Sequence, residues 1–374
     1  MPVGPVFAFA EHVLGVALVL LLVIHGLIHG MGFAKAYELA EFEGLAASIS
    51  RGWGALWLVA GALLLAAASL RLFDSTWWWL PALSGVVVSQ VLIIAFWSDA
   101  KFGSIPNLIL FLIAIVGAGQ WRFERMVLAE VKQLQGDLQR SEVVVEEDLA
   151  ALPNSVRQWL RRSGVIGKPR VSLVRLKQRG RMRTKPGASW MSFEATQWIS
   201  TKTPGFVWFA DVSSYPGAFL YGRDKYQAGH GAMTISLLSL IPVVDATGPN
   251  VDKASMLRFL GEMALYPSAA LEPYVVWEEA GELAARATMT YGGITASGVF
   301  AFDAVGNVRS FQAKRYRETS AEDWLVEAKD AGETTRAGRR FPARWDVSWR
   351  LDTGDWTWLE LEIFDVTYDD EAAP

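Results

Sequence analysis

The residue types needed for acid–base catalysis occur together around one glycine-rich segment. Asp224 and His230 lie six positions apart within residues 222–231, and Glu262 follows on a predicted helix. Histidine titrates near neutral pH, and a neighbouring carboxylate can orient it for proton transfer. Asp224, His230 and Glu262 are therefore the candidate catalytic residues. The competing interpretation is a glycine-rich turn held by aspartate hydrogen bonds, and no nucleophile-elbow pattern accompanies the three residues.

Arginine and aromatic residues form a second candidate site, which would bind a ligand. Arg258 lies four residues before Glu262 on one helix face, where a surface ion pair is the ordinary interpretation. Its guanidinium could instead hold a carboxylate or phosphate head group at two points. Ten of the 17 tryptophans follow Trp121, and a curved sheet lined with indole rings could either pack them in a core or enclose an apolar ligand. The candidate ligand-binding residues are Arg183, Trp190, Gln197, Trp208, Tyr226, Arg258 and Arg315.

His25 and His29 are spaced as two metal ligands on a helix would be. They lie four residues apart in an apolar stretch, where ionisable residues are functional candidates. The apolar stretches that follow contain no histidine, so hydrogen bonding of neutral imidazoles across a helix bundle is the favoured interpretation. No phosphate-binding loop, G-x-G-x-x-G or H-E-x-x-H motif is present. The sequence therefore predicts no cofactor, and His25 and His29 are its candidate ligands for a metal.

Four apolar stretches occupy the first third of the chain, at residues 11–33, 52–70, 77–97 and 105–121. Each is near the length that crosses a hydrocarbon core of about 30 Å as a helix, and tryptophans mark their ends. Gly26 and Gly30 form a small-residue step suited to close helix packing. The sequence predicts a four-helix transmembrane domain, residues 1–124, in the cytoplasmic (inner) membrane. Four basic residues flank the spans on the side of the chain ends and three on the other, which favours a cytoplasmic C-terminal region.

The pattern changes after the fourth stretch. Residues 125–150 have helical spacing and many charges, and are predicted to be a helical connector. From 151 to 374 apolar residues alternate with polar ones, as in Phe206, Trp208 and Ala210, and turn signals separate the runs. The predicted fold class is a membrane all-α four-helix domain plus an α+β soluble domain. In the soluble domain a curved antiparallel sheet, or half-barrel, packs against one main helix.

Several motifs follow one another in order across residues 150–370. They include Leu152-Pro153, Trp190-x-x-Phe193, Pro204-Gly205-Phe206-x-Trp208, Ile241-Pro242-Val243-Val244-Asp245 and Arg258-x-x-x-Glu262. In order and spacing the chain resembles an uncharacterised bacterial family, a domain of unknown function with four N-terminal membrane spans and a C-terminal β domain. The resemblance implies that architecture and transfers no activity. The soluble part is also similar in pattern to lipoprotein-carrier half-barrels, which implies a fold alone.

Charge and composition narrow the partners. The formal charge of −4 indicates no nucleic-acid partner, and the lack of cysteine excludes disulfides and thiolate metal sites. We therefore expect an integral membrane protein whose β domain binds membrane lipid or another amphiphilic small molecule; the sequence does not identify a protein partner. The alternatives are a membrane-tethered enzyme using Asp224, His230 and Glu262, and a membrane-anchored interaction scaffold.

Overall fold

A computed structural model shows two compact units in the described part of the chain. That part consists of residues 5–42, 44–135, 142–215, 218–317, 320–329 and 333–369. The first unit is helical and comprises the described residues up to Arg125 together with Leu238–Leu240, and the second unit comprises the remainder. Residues 136–141, within the predicted connector, lie outside the described residues.

The first unit is built from apolar helices. The helices are α1 (Pro5–Ala36), α2 (Arg51–Leu72), α3 (Trp79–Ala95), the single turn α4 (Trp97–Ala100) and α5 (Ser104–Gln135), whose residues after Arg125 belong to the second unit. Within the described residues three helical stretches are long and apolar enough to cross a bilayer, namely His12–Ala36, Arg51–Leu72 and Trp97–Gln135. The predicted all-α class is therefore confirmed, with one of the four helices shorter than expected.

The short helix is α3, which has 17 residues and a length of about 26 Å. Trp77 and Trp78 lie in the turn before it. Phe96 ends it, because its φ of −115° and ψ of 42° leave the helical region. The predicted stretch 77–97 is therefore too long by two residues at each end.

The contact between α1 and α2 depends on glycine. A methyl group at Gly61 would lie 2.7 Å from the backbone oxygen of Gly26, so the two backbones approach where neither residue has a side chain. Leu22 and Leu64 are fully buried in the adjoining core. A methyl group at Gly30 would have no neighbour within 4 Å. Of the two glycines in the predicted step, Gly26 is therefore the one that allows the close approach of α1 and α2.

The second unit is dominated by one sheet of 13 antiparallel strands. In spatial order they are β6 (Ile241–Thr247), β5 (His230–Leu237), β4 (Ala218–Gln227), β3 (Gly205–Tyr215), β2 (Met191–Ser200), β1 (Leu173–Met182), β15 (Gly354–Tyr368), β14 (Arg344–Leu351), β11 (Ser320–Ala328), β10 (Val308–Arg317), β9 (Ile294–Phe302), β8 (Ala284–Tyr291) and β7 (Val275–Glu279). A hairpin of β12 (Glu333–Arg336) and β13 (Arg339–Pro342) is inserted between β11 and β14. Two runs of sequential strands thus meet where β1 pairs with β15.

The sheet curls until turns near its two edges approach each other. Gly229 lies in the β4–β5 turn and Gly292 in the β8–β9 turn, and a methyl group at Gly292 would lie 2.8 Å from the Cα of Gly229. Their φ values are 86° and 60°, which glycine adopts without strain. Register shifts between β1 and β15, between β3 and β4 and between β14 and β15 add local twist. The predicted curved antiparallel sheet is therefore confirmed.

The main helix of the second unit bridges the two halves of the curl. Besides α6 (Asn154–Ser163), the unit contains α7 (Pro249–Gly261), which contacts β4 and β5 on one side and β9 and β10 on the other. Met256, Leu257 and Leu260 of α7 are buried, as their helical spacing predicts. Because α7 lies across the curl, Arg258 and the following Glu262 are held near the inner face of the sheet.

Candidate functional site

The curled sheet of the second unit lines a partly open cavity of about 270 Å³. Five of the 26 residues that line it are charged, namely Arg223, Asp224, Arg258, Glu262 and Arg315. Most of the others are apolar, and four are tryptophans: Trp208, Trp324, Trp345 and Trp358. A concave, mainly apolar surface with a few polar groups is typical of a small-molecule site.

Strand alternation directs the apolar side chains into the cavity. Trp345 and Val347 lie two positions apart on β14, and both line it. Gly222 on β4 also lines it, and a methyl group there would meet Trp208 at 3.4 Å, an ordinary contact distance. Gly222 therefore leaves open volume beside the indole of Trp208.

Arg258 is the centre of a hydrogen-bonded cluster at one wall. Its Nη1 donates to Asp224 Oδ2 at 2.7 Å and its Nε to Glu262 Oε1 at 2.8 Å. Its guanidinium also stacks over Phe206 and Trp208, at 4.8 and 5.1 Å from the ring centroids. Burial alone would lower the pKa of Arg258, but the charges of Glu262 and Asp224 outweigh burial and raise that pKa. Arg258 is thus a structural cation with two carboxylate partners.

Two glutamines extend the cluster towards the indole of Trp208. Gln197 accepts from Arg258 Nη2 at 3.1 Å and donates to Glu262 Oε2 at 2.6 Å. Gln178 donates to Gln197 Oε1 at 3.0 Å and accepts from Trp208 Nε1 at 2.9 Å. These bonds satisfy buried polar groups and fix the orientation of Trp208.

Arg315 differs from Arg258 in having no acceptor. It forms no hydrogen bond or ion pair within the described part of the chain, and its Nε is buried without a partner. Its guanidinium lies over the Trp324 ring, 4.7 Å from the centroid. Burial lowers the pKa of Arg315 to about 10, so the group stays charged at neutral pH. Arg315 is half-buried, and a cation in a mainly apolar cavity without an acceptor is unusual.

The segment that builds this cavity matches a known family. Residues 142–361 match the model of a family of unknown function, DUF6544. The chain belongs to this family. The match confirms the resemblance seen in the sequence motifs, and the DUF6544 segment contains every cavity-lining residue except Ile363.

The solved structures that are similar to this DUF6544 protein include the following two. One is a domain from Vibrio parahaemolyticus described as an outer membrane lipoprotein-sorting protein domain; it is 7% identical, with a TM-score of 0.28, and the match covers 53% of this chain and 86% of that chain. The other is a DUF1329 family protein from Desulfovibrio piger; it is 10% identical, with a TM-score of 0.30, and the match covers 58% of this chain and 92% of that chain. No curated protein matches the chain.

The fold brings together six of the ten site residues predicted in the DUF6544 segment. Asp224, Glu262, Trp208, Arg258 and Arg315 all line the cavity. Gln197 lies directly behind them, bonded to Arg258 and Glu262. These six residues come from five elements, namely β2, β3, β4, β10 and α7 with the turn that follows it.

The other predicted residues lie elsewhere. His230 is 81% exposed and faces Asp252, whose Oδ2 is 3.6 Å from its Nδ1. Met233 on β5 lies opposite Asp224 on β4. His230 is three positions along β5 from Met233, a distance of about 10 Å. His230 is thus not brought together with Asp224 and Glu262. Arg183 stacks on Trp190 at 4.5 Å and donates to the Thr357 carbonyl. Tyr226 is fully buried in the core. Arg183, Trp190 and Tyr226 do not line the cavity.

Sequence reasoning missed Trp358 and Gln178 as cavity residues. In the β14–β15 pair, Val347 stands opposite Leu359 and Ser348 opposite Thr357, which leaves Trp358 as an extra residue at a bulge. Leu359, Leu361 and Ile363 alternate into the cavity as expected, and Trp358 breaks that alternation. The strand pattern therefore contained the signal for the leucines, but no local signal revealed the bulge.

In the helical unit, His25 and His29 are hydrogen-bonded rather than grouped as ligands. His25 Nε2 lies 2.8 Å from Asn107 Oδ1, and His29 Nδ1 donates to the His25 carbonyl at 2.8 Å. Asn107, in turn, donates to Gln90 at 3.0 Å. In the portion of the chain that is described, no three His, Asp or Glu side chains are grouped to hold a metal ion. The histidines therefore belong to a buried polar network between helices.

Proposed function

We propose that this chain is an integral membrane protein whose curled sheet binds a lipid or another amphiphile near the bilayer. The observation that carries the proposal is an apolar cavity of about 270 Å³ in which the charged side chains include an arginine without an acceptor. An amphiphile suits such a cavity, because its apolar part can displace water from the indoles while its polar part reaches the arginine.

The helices support membrane anchoring. The stretches His12–Ala36, Arg51–Leu72 and Trp97–Gln135 are long enough to span a hydrocarbon core. We infer that α3 is a fourth span, since 17 residues lie at the lower limit for crossing and its sequence has no charged residue. The anchor would keep the second unit close to a lipid source without requiring diffusion from solution.

The distribution of basic residues supports a cytoplasmic position for the sheet in an inner membrane. With four spans, Arg71, Arg122, Arg125 and Lys132 flank the side of the chain ends, and Lys35, Arg51 and Lys101 flank the other. The chain contains no cysteine, so Ser297→Cys on the exposed face of β9 would provide a single thiol. Labelling by a membrane-impermeant maleimide in inverted vesicles but not in spheroplasts is expected, and the reverse result would place the sheet outside.

Filling the cavity tests the proposed function. Gly222→Leu adds a side chain beside Trp208, whereas Ser297→Leu adds the same group to the exposed face of β9. We expect Gly222→Leu to lose co-purifying amphiphile while unfolding at the same or a higher temperature, because filling a cavity commonly stabilises by about 0.5–2 kcal/mol. Native mass spectrometry of the full chain released from nanodiscs measures the bound mass. Equal amphiphile occupancy in both variants, or none in the natural chain, would refute the proposal.

A further inference from the structure

The charges around the cavity specify what kind of amphiphile fits. Three arginines and two carboxylates line it, which leaves one excess positive charge. Arg223 pairs with Glu130 at 3.3 Å, and Glu130 also pairs with Lys225 at 2.7 Å. The charges of Glu130 and Lys225 cancel, so counting these two neighbours still leaves one excess positive charge. A ligand with a single negative charge would bring the site to neutrality.

The hydrogen-bond donors point to the same conclusion and identify the contact residue. Arg258 already donates to Asp224, Glu262 and Gln197, and Arg223 donates to the Ala232 carbonyl and to Thr234. Among the described cations that line the cavity, Arg315 alone has no protein acceptor. One face of the Arg315 guanidinium lies against Trp324, and its N–H bonds lie in the guanidinium plane. A carboxylate or phosphate group in that plane can accept two of these hydrogen bonds.

The size of the cavity limits the apolar part. A cavity of about 150 Å³ accommodates benzene, which has six carbons, so a cavity of 270 Å³ has room for about eleven carbons on the same scale. That is one alkyl chain of medium length. Two chains of that length do not fit together in this volume.

We propose that the cavity binds a single-chain amphiphile with a monoanionic head group, a carboxylate or a phosphate ester, and that Arg315 is the residue that holds the head. This inference rests on the proposed amphiphile-binding function and adds its charge, chain number and contact residue. Arg258 then acts as a positioning residue, because its carboxylate partners already occupy it and it fixes the wall against which the chain lies.

Four probes in one assay separate these features. The full chain in zwitterionic nanodiscs is titrated at pH 7 with laurate, lauroyl lysophosphatidylglycerol, lauroyl lysophosphatidylcholine and dilauroyl phosphatidylglycerol, with binding to empty nanodiscs subtracted. We expect the two single-chain monoanions to bind at least tenfold more tightly than the zwitterionic lysolipid and than the two-chain lipid. The tighter of the two monoanions distinguishes a carboxylate from a phosphate ester.

A matched pair of variants tests the role of Arg315. Arg317 lies two positions along β10 and stacks over Trp356 at 4.9 Å, but it does not line the cavity. Arg315→Gln is expected to weaken laurate binding about 10- to 100-fold, which is the effect of losing a charge-assisted hydrogen bond, and Arg317→Gln to leave it unchanged.

Failure of this inference differs from failure of the proposed function. If the zwitterionic and anionic lysolipids bind equally and Arg315→Gln has no effect, the head-group assignment is overturned while amphiphile binding stands. If dilauroyl phosphatidylglycerol binds as tightly as its lysolipid, the single-chain assignment is overturned. If no probe binds above the empty nanodiscs, the proposed function itself is overturned.

Discussion

At the scale of single residues, two arginines of one cavity have opposite surroundings. Arg258 is bonded to Asp224 and Glu262, so removing it leaves two buried carboxylates without their cation. Arg315 is half-buried and has no such partner in the described residues, so removing it eliminates a partly desolvated charge. Breaking a buried ion pair usually destabilises by about 3–5 kcal/mol, whereas an unpaired buried charge is itself unfavourable.

The two arginines should therefore respond differently to the same substitution. We expect Arg258→Met to lower the free energy of unfolding of the second unit by about 3–5 kcal/mol, and Arg315→Met to leave it unchanged or raise it by about 1 kcal/mol. Thermal unfolding in nanodiscs, followed by the near-ultraviolet circular dichroism of the tryptophans, measures both changes. Similar destabilisation by the two variants would contradict the assignment of Arg315 as an unpaired cation in the ligand-free protein.

The sequence identifies both arginines as candidate ligand-binding residues, but it does not show which of them has carboxylate partners. The spacing of Arg258 and Glu262 predicts their ion pair, because residues four apart meet on a helix. Asp224 joins them from 34 positions away, through the packing of α7 across β4, and no local pattern encodes that contact. The absence of an acceptor for Arg315 is likewise a property of the assembled sheet.

At the scale of elements, the β4–β5 and β8–β9 turns come into contact because the sheet is strongly curled. Gly292 and Gly293 both have positive φ, at 60° and 78°, but a methyl group meets the backbone of Gly229 only at Gly292. An alanine at either position carries a penalty of about 1–2 kcal/mol for left-handed backbone. An additional penalty at Gly292 would arise from the close approach of the two turns.

We expect Gly292→Ala to destabilise the second unit by about 1–3 kcal/mol more than Gly293→Ala does, because overpacking is added to the shared backbone strain. Urea unfolding of the two variants, monitored by tryptophan emission, measures the difference. Identical midpoints would show that the two turns are not in contact.

The strands were predictable where alternation is regular and unpredictable where it breaks. The runs around Phe193, Trp208 and Trp345 mark β2, β3 and β14 correctly, since alternate apolar residues are typical of a half-buried strand. At Trp358 a bulge interrupts the alternation of inward and outward side chains. At Phe96 the helix α3 ends, although the surrounding apolar residues predict a continuous helix. Both departures depend on backbone geometry at one residue, which hydropathy does not reveal.

At the scale of the whole molecule, composition alone separates an apolar helical part from a β part, and the structure confirms both classes. Whether the sheet would retain an open cavity could not be predicted, because that depends on the summed volumes of side chains from many strands. A difference of one side chain, such as Gly222 in place of a larger residue, decides whether part of that volume is filled. The proposed function follows from this open volume and from the membrane anchor that would supply its ligand.

The central claim is that an alkyl chain occupies the cavity of the curled sheet. Photo-crosslinking of the full chain in membranes with a diazirine-bearing C12 carboxylate, followed by peptide mass spectrometry, tests it most directly. We expect adducts on inward-facing residues such as Met182, Met233 and Leu361, and their loss in Gly222→Leu, because these side chains line the cavity that the leucine fills. Adducts confined to residues 5–135, with none on the strands, would contradict the account.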